Sequence, residues 1–240
     1  MTDHHIHIGQ FNEVYYDSHS VFEAISQSAE KYGINEVHYS STSSCRYDVE
    51  LFRIEEEIEY AQKFQSSILK VKPYFWAVPN YFEERIKFDR AIEKINYCGI
   101  KIHPFAHKWN LENTVHRIAL EEIFSYSEKY QKSILIHTGG SDSCLPNRFE
   151  SFFKNFPNAP IILAHCTPLK NTVEMLRKYP QIKADISFVE SENIVKMISA
   201  GLKEKLLFGT DFPVTHYAAE KSLSLARQYE SDCKILQMLK

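Results

Sequence analysis

Eight short apolar runs, separated by longer stretches in which apolar residues recur every three or four positions, set the rhythm of this 240-residue chain. The runs fall at residues 3–9, 34–41, 71–78, 98–103, 133–138, 159–165, 182–187 and 205–210. Most are continuous blocks of Val, Ile, Leu and aromatic residues, too short for helices, as strands buried on both faces should be. Between them the spacing turns helical: Val21, Phe22, Ile25 and Ala29 before Gly33; Leu51, Ile54, Ile58, Ala61 and Phe64; Phe82, Ile86 and Ile92 before Gly99; Val115, Ile118, Ala119 and Phe124. Later linkers carry Phe149, Phe152, Phe153 and Phe156, then Val173 and Leu176, then Ile194, Val195 and Ile198, and a last segment starts near Tyr217. Pro157, Pro180 and Gly201 mark helix ends. Eight strands alternating with eight helices, at about 30 residues per unit, predict an α/β fold, a (β/α)8 TIM barrel in a single domain over residues 1–240. An open doubly wound sheet is the competing architecture.

Composition narrows the function classes. A 44% hydrophobic content and a net charge of −3 support a sizeable core and offer no basic face for nucleic acid, so a small-molecule substrate is expected. No apolar stretch approaches the roughly 20 residues of a membrane helix. The polar, histidine-rich N-terminus does not read as a charged-then-apolar leader, and a cytoplasmic protein is expected. Cys45, Cys98, Cys144, Cys166 and Cys233 are scattered without metal-knuckle or redox spacing, which points to reduced thiols. Oligomeric state, a homodimer included, is not legible at this level.

Candidate chemistry sits at the ends of four runs: Asp3-His4-His5-Ile6-His7, His137, His165 and Asp211. Strand parity puts Asp3, His5 and His7 on one side and His4 and Ile6 on the other, so His5 and His7 are the pair able to act together. In a barrel, C-terminal strand ends carry the active site. Neutral imidazoles plus a carboxylate suit Zn²⁺ with an open position, and a bound dication lowers the pKa of water to about 7, with Asp211 able to take up the released proton. Plainer readings compete. His5 and His7 could be the relic of a tag, His137 and His165 satisfied core histidines, and Asp211 the N-cap of a helix opened by Pro213. Arg46 and Arg148, in loops after the second and fifth strands, could clamp a substrate carboxylate, although solvated arginines are commoner.

The segments Asp3-His4-His5-Ile6-His7-Ile8-Gly9, Gly99-Ile100-Lys101-Ile102-His103-Pro104, Ile134-Leu135-Ile136-His137-Thr138-Gly139, Ile161-Ile162-Leu163-Ala164-His165 and Leu207-Phe208-Gly209-Thr210-Asp211-Phe212-Pro213 resemble, in order, the five landmarks of the amidohydrolase superfamily. The branch they resemble most includes small-molecule hydrolases and lyases similar to aminocarboxymuconate semialdehyde decarboxylase. The resemblance implies that His5, His7, His137 and Asp211 hold the metal. It implies a catalytic or substrate-polarising His165, or a metal-binding one if two divalent ions are held. Lys101 would either be carbamylated between two metals or bind a substrate anion, with His103 beside it. The function so implied is zinc-dependent hydrolysis of a small ester, lactone or amide. The alternative is a metal-dependent decarboxylase or hydratase acting on a small unsaturated or aromatic acid. A metal-dependent deoxyribonuclease fits less well, because there is no glutamate on the fourth strand and no basic surface.

Overall fold

The computed structural model describes residues 1–45, 51–83, 92–217 and 223–239. Nine strands are present among them: β1 (Thr2–Phe11), β2 (Val14–Tyr16), β3 (Glu36–Ser41), β4 (Lys70–Ala77), β5 (Gly99–Ile102), β6 (Ser133–Ile136), β7 (Ile161–Leu163), β8 (Ile182–Asp185) and β9 (Leu206–Leu207). They pair in the order β2-β1-β3-β4-β5-β6-β7-β8-β9, and every pairing is parallel except β1 with β2. The longer helices are α1 (Ser18–Tyr32), α2 (Leu51–Ala61), α3 (Thr114–Tyr130), α4 (Glu150–Asn155), α5 (Leu169–Lys178), α6 (Ser191–Ser199) and α7 (Leu225–Cys233). No helix among the described residues is long and apolar enough to cross a membrane.

Eight of these strands match the expected runs; β2 was not expected. β1 continues past Gly9 to Phe11, turns at Asn12-Glu13 and returns antiparallel, pairing Phe11 with Val14 and Gly9 with Tyr16. Asn12 takes φ +50°, a left-handed conformation that asparagine tolerates because its short polar side chain bonds locally. A lone Asn without a following Gly is a weak turn signal, so the sequence ends the strand at Gly9 instead.

The chain divides into two compact units, residues 1–73 with 208–240, and residues 74–207. In the first unit, Val21, Phe22, Ile25 and Ala29 form the buried face of α1, as the spacing predicts. The Asp17 side chain accepts from the Ser20 N–H at the start of this helix, and Gly33 ends it at φ +72°. α2 likewise buries Ile54, Ile58 and Ala61. β1 takes β3 along one edge. Along its other edge runs the segment 208–212, held by His4 N–H to Phe208 O (2.9 Å), Asp211 N–H to His5 O (2.7 Å) and His7 N–H to Phe212 O (2.7 Å).

In the second unit, Tyr74, Leu135, Ile162 and Ala164 pack together as an inward layer drawn from β4, β6 and the end of β7. A side chain at Gly99 would lie 2.3 Å from the Ser133 carbonyl and 2.6 Å from the Tyr74 ring, so this layer closes only over a glycine. Two helical stripes differ from expectation. α3 buries Ala119, Leu120, Ile123 and Phe124 and leaves Val115 and Ile118 about half exposed; α6 buries Ile194 and Met197 and exposes Val195. In both, the true stripe is turned by about one residue, 100° of helix, from the one that counting β-branched residues suggests.

Candidate active site

In the first unit, three ligand-type side chains from distant parts of the sequence meet. His5 and His7 project from β1, and their Nε2 atoms lie 3.0 and 2.9 Å from the same oxygen, Oδ1, of Asp211. All three are buried. Their placement follows from the backbone. β1 shifts register between Asp3 and Ile6, and the two imidazole centroids come to 4.9 Å. Asp211 adopts φ +57°, a conformation uncommon outside glycine that Asp tolerates, and its N–H is held by the His5 carbonyl. Burial pushes the Asp211 carboxyl up, but the His5 and His7 rings beside it, in their protonated form, outweigh this and hold it well below the usual carboxylate range.

Ser40 meets the other nitrogen of His7. Its Nδ1 lies 3.2 Å from the Ser40 carbonyl and 3.1 Å from the Ser40 hydroxyl, and with a hydrogen on Nδ1 given to the carbonyl, which can only accept, neutral His7 turns a lone pair at Nε2 toward Asp211. In that tautomer Nε2 and the Asp211 oxygen 2.9 Å away are both acceptors, the arrangement that suits a cation; with the hydrogen on Nε2 the ring donates to the same oxygen. Three such atoms suit a divalent metal by both ligand type and spacing.

Asp3 has the strand parity of His5 and His7 but takes a different part. Its Oδ1 accepts from the N–H groups of His5 (3.1 Å) and Thr210 (3.2 Å), and its Oδ2 from the hydroxyls of Thr210 (2.8 Å) and Tyr229 (3.0 Å). It thereby ties β1 and α7 to the turn that presents Asp211. Complete burial pushes its carboxyl up to about 7 in spite of those bonds.

The second unit gathers its own polar cluster at the ends of β5 to β8. The His165 Nε2 lies 3.1 Å from Nδ1 of His137, and its Nδ1 lies 2.8 Å from the Ser187 hydroxyl. Ser187 in turn bonds Asp185. The His137 ring stacks on His103 with centroids 3.8 Å apart and planes 13° from parallel, and Cys144 brings its sulfur close to both. Two imidazoles stacked in this way direct their in-plane lone pairs along separate planes, so His103, His137 and Cys144 do not form a ready metal site as they stand. Lys101 is buried on β5 with Nζ 5.8 Å from the Trp76 ring. His107, behind Trp76, has its charged form disfavoured by burial, which pushes it down to about 4.

Of the sequence candidates, His5, His7 and Asp211 are thus together in the first unit, and His103, His137 and His165 are neighbours in the second. Arg148 is exposed in a short 3-10 turn (Pro146–Phe149) and touches none of these groups, and Arg46 lies outside the described residues. Asp211 directs its side chain to the two histidines and caps no helix. Sequence reading missed Ser40, Asp185 and Ser187 as polar partners. The Ser40–Ser44 tract carried a trace of signal for the first; Asp185 and Ser187 share a strand parity but sit beside no other ligand-type residue in sequence. Cys98, Cys144, Cys166 and Cys233 are free thiols, as expected.

Comparison with curated proteins finds no match. Among solved structures, the chain is similar to a probable 2-pyrone-4,6-dicarboxylic acid hydrolase from Acinetobacter baumannii (11% identity, TM-score 0.59, covering 99% of this chain and 94% of that one). It is also similar to a dihydroorotase from Campylobacter jejuni (15%, 0.52, 99% and 79%) and an N-acetylneuraminate lyase from Mycoplasma synoviae (11%, 0.56, 99% and 77%). Identities this low speak to fold, and the fold is the α/β, (β/α)8 TIM-barrel type. The amidohydrolase family model reaches further, because it matches residues 70–230, well over half of the sequence, and on that match the chain belongs to the amidohydrolase family and is an enzyme of that superfamily.

Proposed function

We propose that this protein is a zinc-dependent hydrolase of a small ester, lactone or amide, its metal held by His5, His7 and Asp211; the family resemblance implies a metal-binding role for His137 as well. The observation that carries the reading is the convergence of two buried imidazole Nε2 atoms on one Asp211 oxygen at 2.9 and 3.0 Å, with the Ser40 carbonyl beside Nδ1 of His7 as an acceptor that suits the ligating tautomer. A zinc ion bound there supplies Lewis acidity and lowers the pKa of water into the neutral range. The chain supplies the rest. Asp211 is a carboxylate at neutral pH and accepts the proton that the attacking water gives up. His7 and His5 keep that carboxylate oriented, and Asp3 fixes the backbone of Thr210 just before it and of His5 beside it. A lactone fits what the name of the Acinetobacter relative says of its substrate.

Metal analysis of untagged protein, coupled to a panel of esters, lactones and amides, tests this. About one or two equivalents of divalent metal and turnover abolished by chelation and restored by zinc are expected. Absence of metal even after reconstitution removes the reading. Release of carbon dioxide from aromatic or muconate-type acids, with no ester or lactone turnover, would keep the metal and assign the lyase chemistry instead.

A further inference from the structure

We infer that Ser187 and Asp185 are positioning residues that set the proton arrangement of His165 and His137, so that His137 presents a bare Nε2 lone pair. The chain of constraint begins at Asp185, which is fully buried. Its Oδ1 receives the backbone N–H groups of His165 (3.3 Å) and Ser187 (3.0 Å), and an N–H can only donate. That oxygen is therefore an acceptor whatever the state of the rest of the carboxyl, and the Ser187 hydroxyl that also meets it gives it its single hydrogen. With its hydrogen committed, Ser187 Oγ accepts from His165 Nδ1, 2.8 Å away, so Nδ1 is the protonated nitrogen of His165.

The Nε2 of neutral His165 is then an acceptor, and its neighbour at 3.1 Å, Nδ1 of His137, is the donor. His137 has one hydrogen in its neutral form; once it is on Nδ1, Nε2 is bare. Four side chains thus pass one instruction from a buried carboxylate to a half-buried imidazole, and each link is fixed by the one before it. The backbone is shaped for it: His165 sits at φ +67° with its N–H on Asp185, a conformation rare for a side-chain-bearing residue and the kind of strain that persists where surrounding bonds over-determine it. The proton arrangement is a property of the chain alone. Its use rests on the proposed function: a bare Nε2 is the form in which a histidine ligates a metal, and a hydrogen-bonded partner on the other nitrogen keeps it so.

The two parts are separated by observing the imidazole nitrogens directly. Protein labelled with ¹⁵N-histidine, treated with chelator at neutral pH and read by long-range ¹H–¹⁵N correlation, should show both His165 and His137 protonated at Nδ1. Signals are assigned by loss in His165→Gln and His137→Gln. Ser187→Ala should shift both rings toward mixed or Nε2-protonated forms, and Ser187→Thr, which keeps the hydroxyl, should restore them. Wild-type rings protonated at Nε2, or rings indifferent to Ser187→Ala, overturn the inference; the wild-type spectrum alone decides it if that variant does not fold. Zinc affinity lowered about 10- to 100-fold in Ser187→Ala and recovered in Ser187→Thr is the expected consequence for the metal. Nδ1-protonated rings in a protein that binds no zinc would uphold the relay and reject the proposed function.

Discussion

His7 shows how much a single side chain can fix. One ring nitrogen meets the carbonyl and hydroxyl of Ser40, and the other faces Asp211, so the ring is held from both sides with Nε2 aimed at the carboxylate. Asp211→Asn keeps the shape of the side chain and removes its charge; zinc affinity is expected to fall at least ~100-fold, a loss that removing a mere outer partner already approaches. Equilibrium dialysis against zinc reads it. Asp3 is structural in the same setting. Asp3→Ala strands four buried donors and is expected to cost about 2–4 kcal/mol in urea unfolding, whereas Asp3→Asn, which can accept from both N–H groups while the two hydroxyls turn to accept, should cost less than half as much. His107 has its folded pKa pushed down to about 4. Between roughly pH 6.5 and 4 the unfolded chain therefore binds the proton that the folded chain refuses, and stability drops as the pH falls through that window. Asp3, raised to about 7, works in the opposite direction over much of the same range, so the measurement is a difference. Stability of the wild type minus that of His107→Phe should decline by up to about 3 kcal/mol from pH 7 to pH 4, and a flat difference curve would contradict the assignment. At this scale the sequence showed the metal-ligand types, because His-x-His on a strand and an Asp after an apolar run are local patterns. It did not show Ser40, Asp185 or Ser187 as partners, because a hydrogen bond between residues 20 to 33 positions apart leaves no local trace.

Elements read from periodicity were legible where one face is strongly apolar. The α1 stripe and its Gly33 terminus stand as predicted, and Asp17→Ala is expected to remove about 1 kcal/mol by leaving first-turn N–H groups without their acceptor. α3 was misread by about one residue because Val115 and Ile118 are apolar yet face outward, and counting apolar positions cannot tell a half-exposed valine from a buried one. The β2 hairpin escaped because three residues carry too little alternation to register. β5 depends on a glycine that pattern reading takes only as a boundary. Gly99→Val drives a side chain into the Ser133 carbonyl and the Tyr74 ring. It should lower the urea midpoint by the equivalent of about 2 kcal/mol or more and loosen the strand that carries Lys101. Replacing Gly33, which has open space around it, should cost only its left-handed strain, about 1 kcal/mol, and the contrast between the two glycines is itself the check.

For the molecule as a whole, the telling fact is the sequence distance across the proposed metal ligands. His7 and Asp211 are 204 positions apart, yet their side chains touch. The first unit is assembled from the two ends of the polypeptide, with everything from Tyr74 to Leu207 strung between them. A cation bound by His5, His7 and Asp211 would therefore act as a clasp on a very long loop. Binding only to the folded form, zinc at a thousandfold excess over its dissociation constant would stabilise by about 4 kcal/mol, roughly 10 °C in melting temperature, and the shift should vanish in His7→Ala. Opening such a clasp frees both termini at once. Chelated protein should then lose its ends first to limited proteolysis, while the zinc-loaded protein yields no terminal fragment until it unfolds altogether. The ion proposed to activate water would also decide whether the two segments of the first unit stay together.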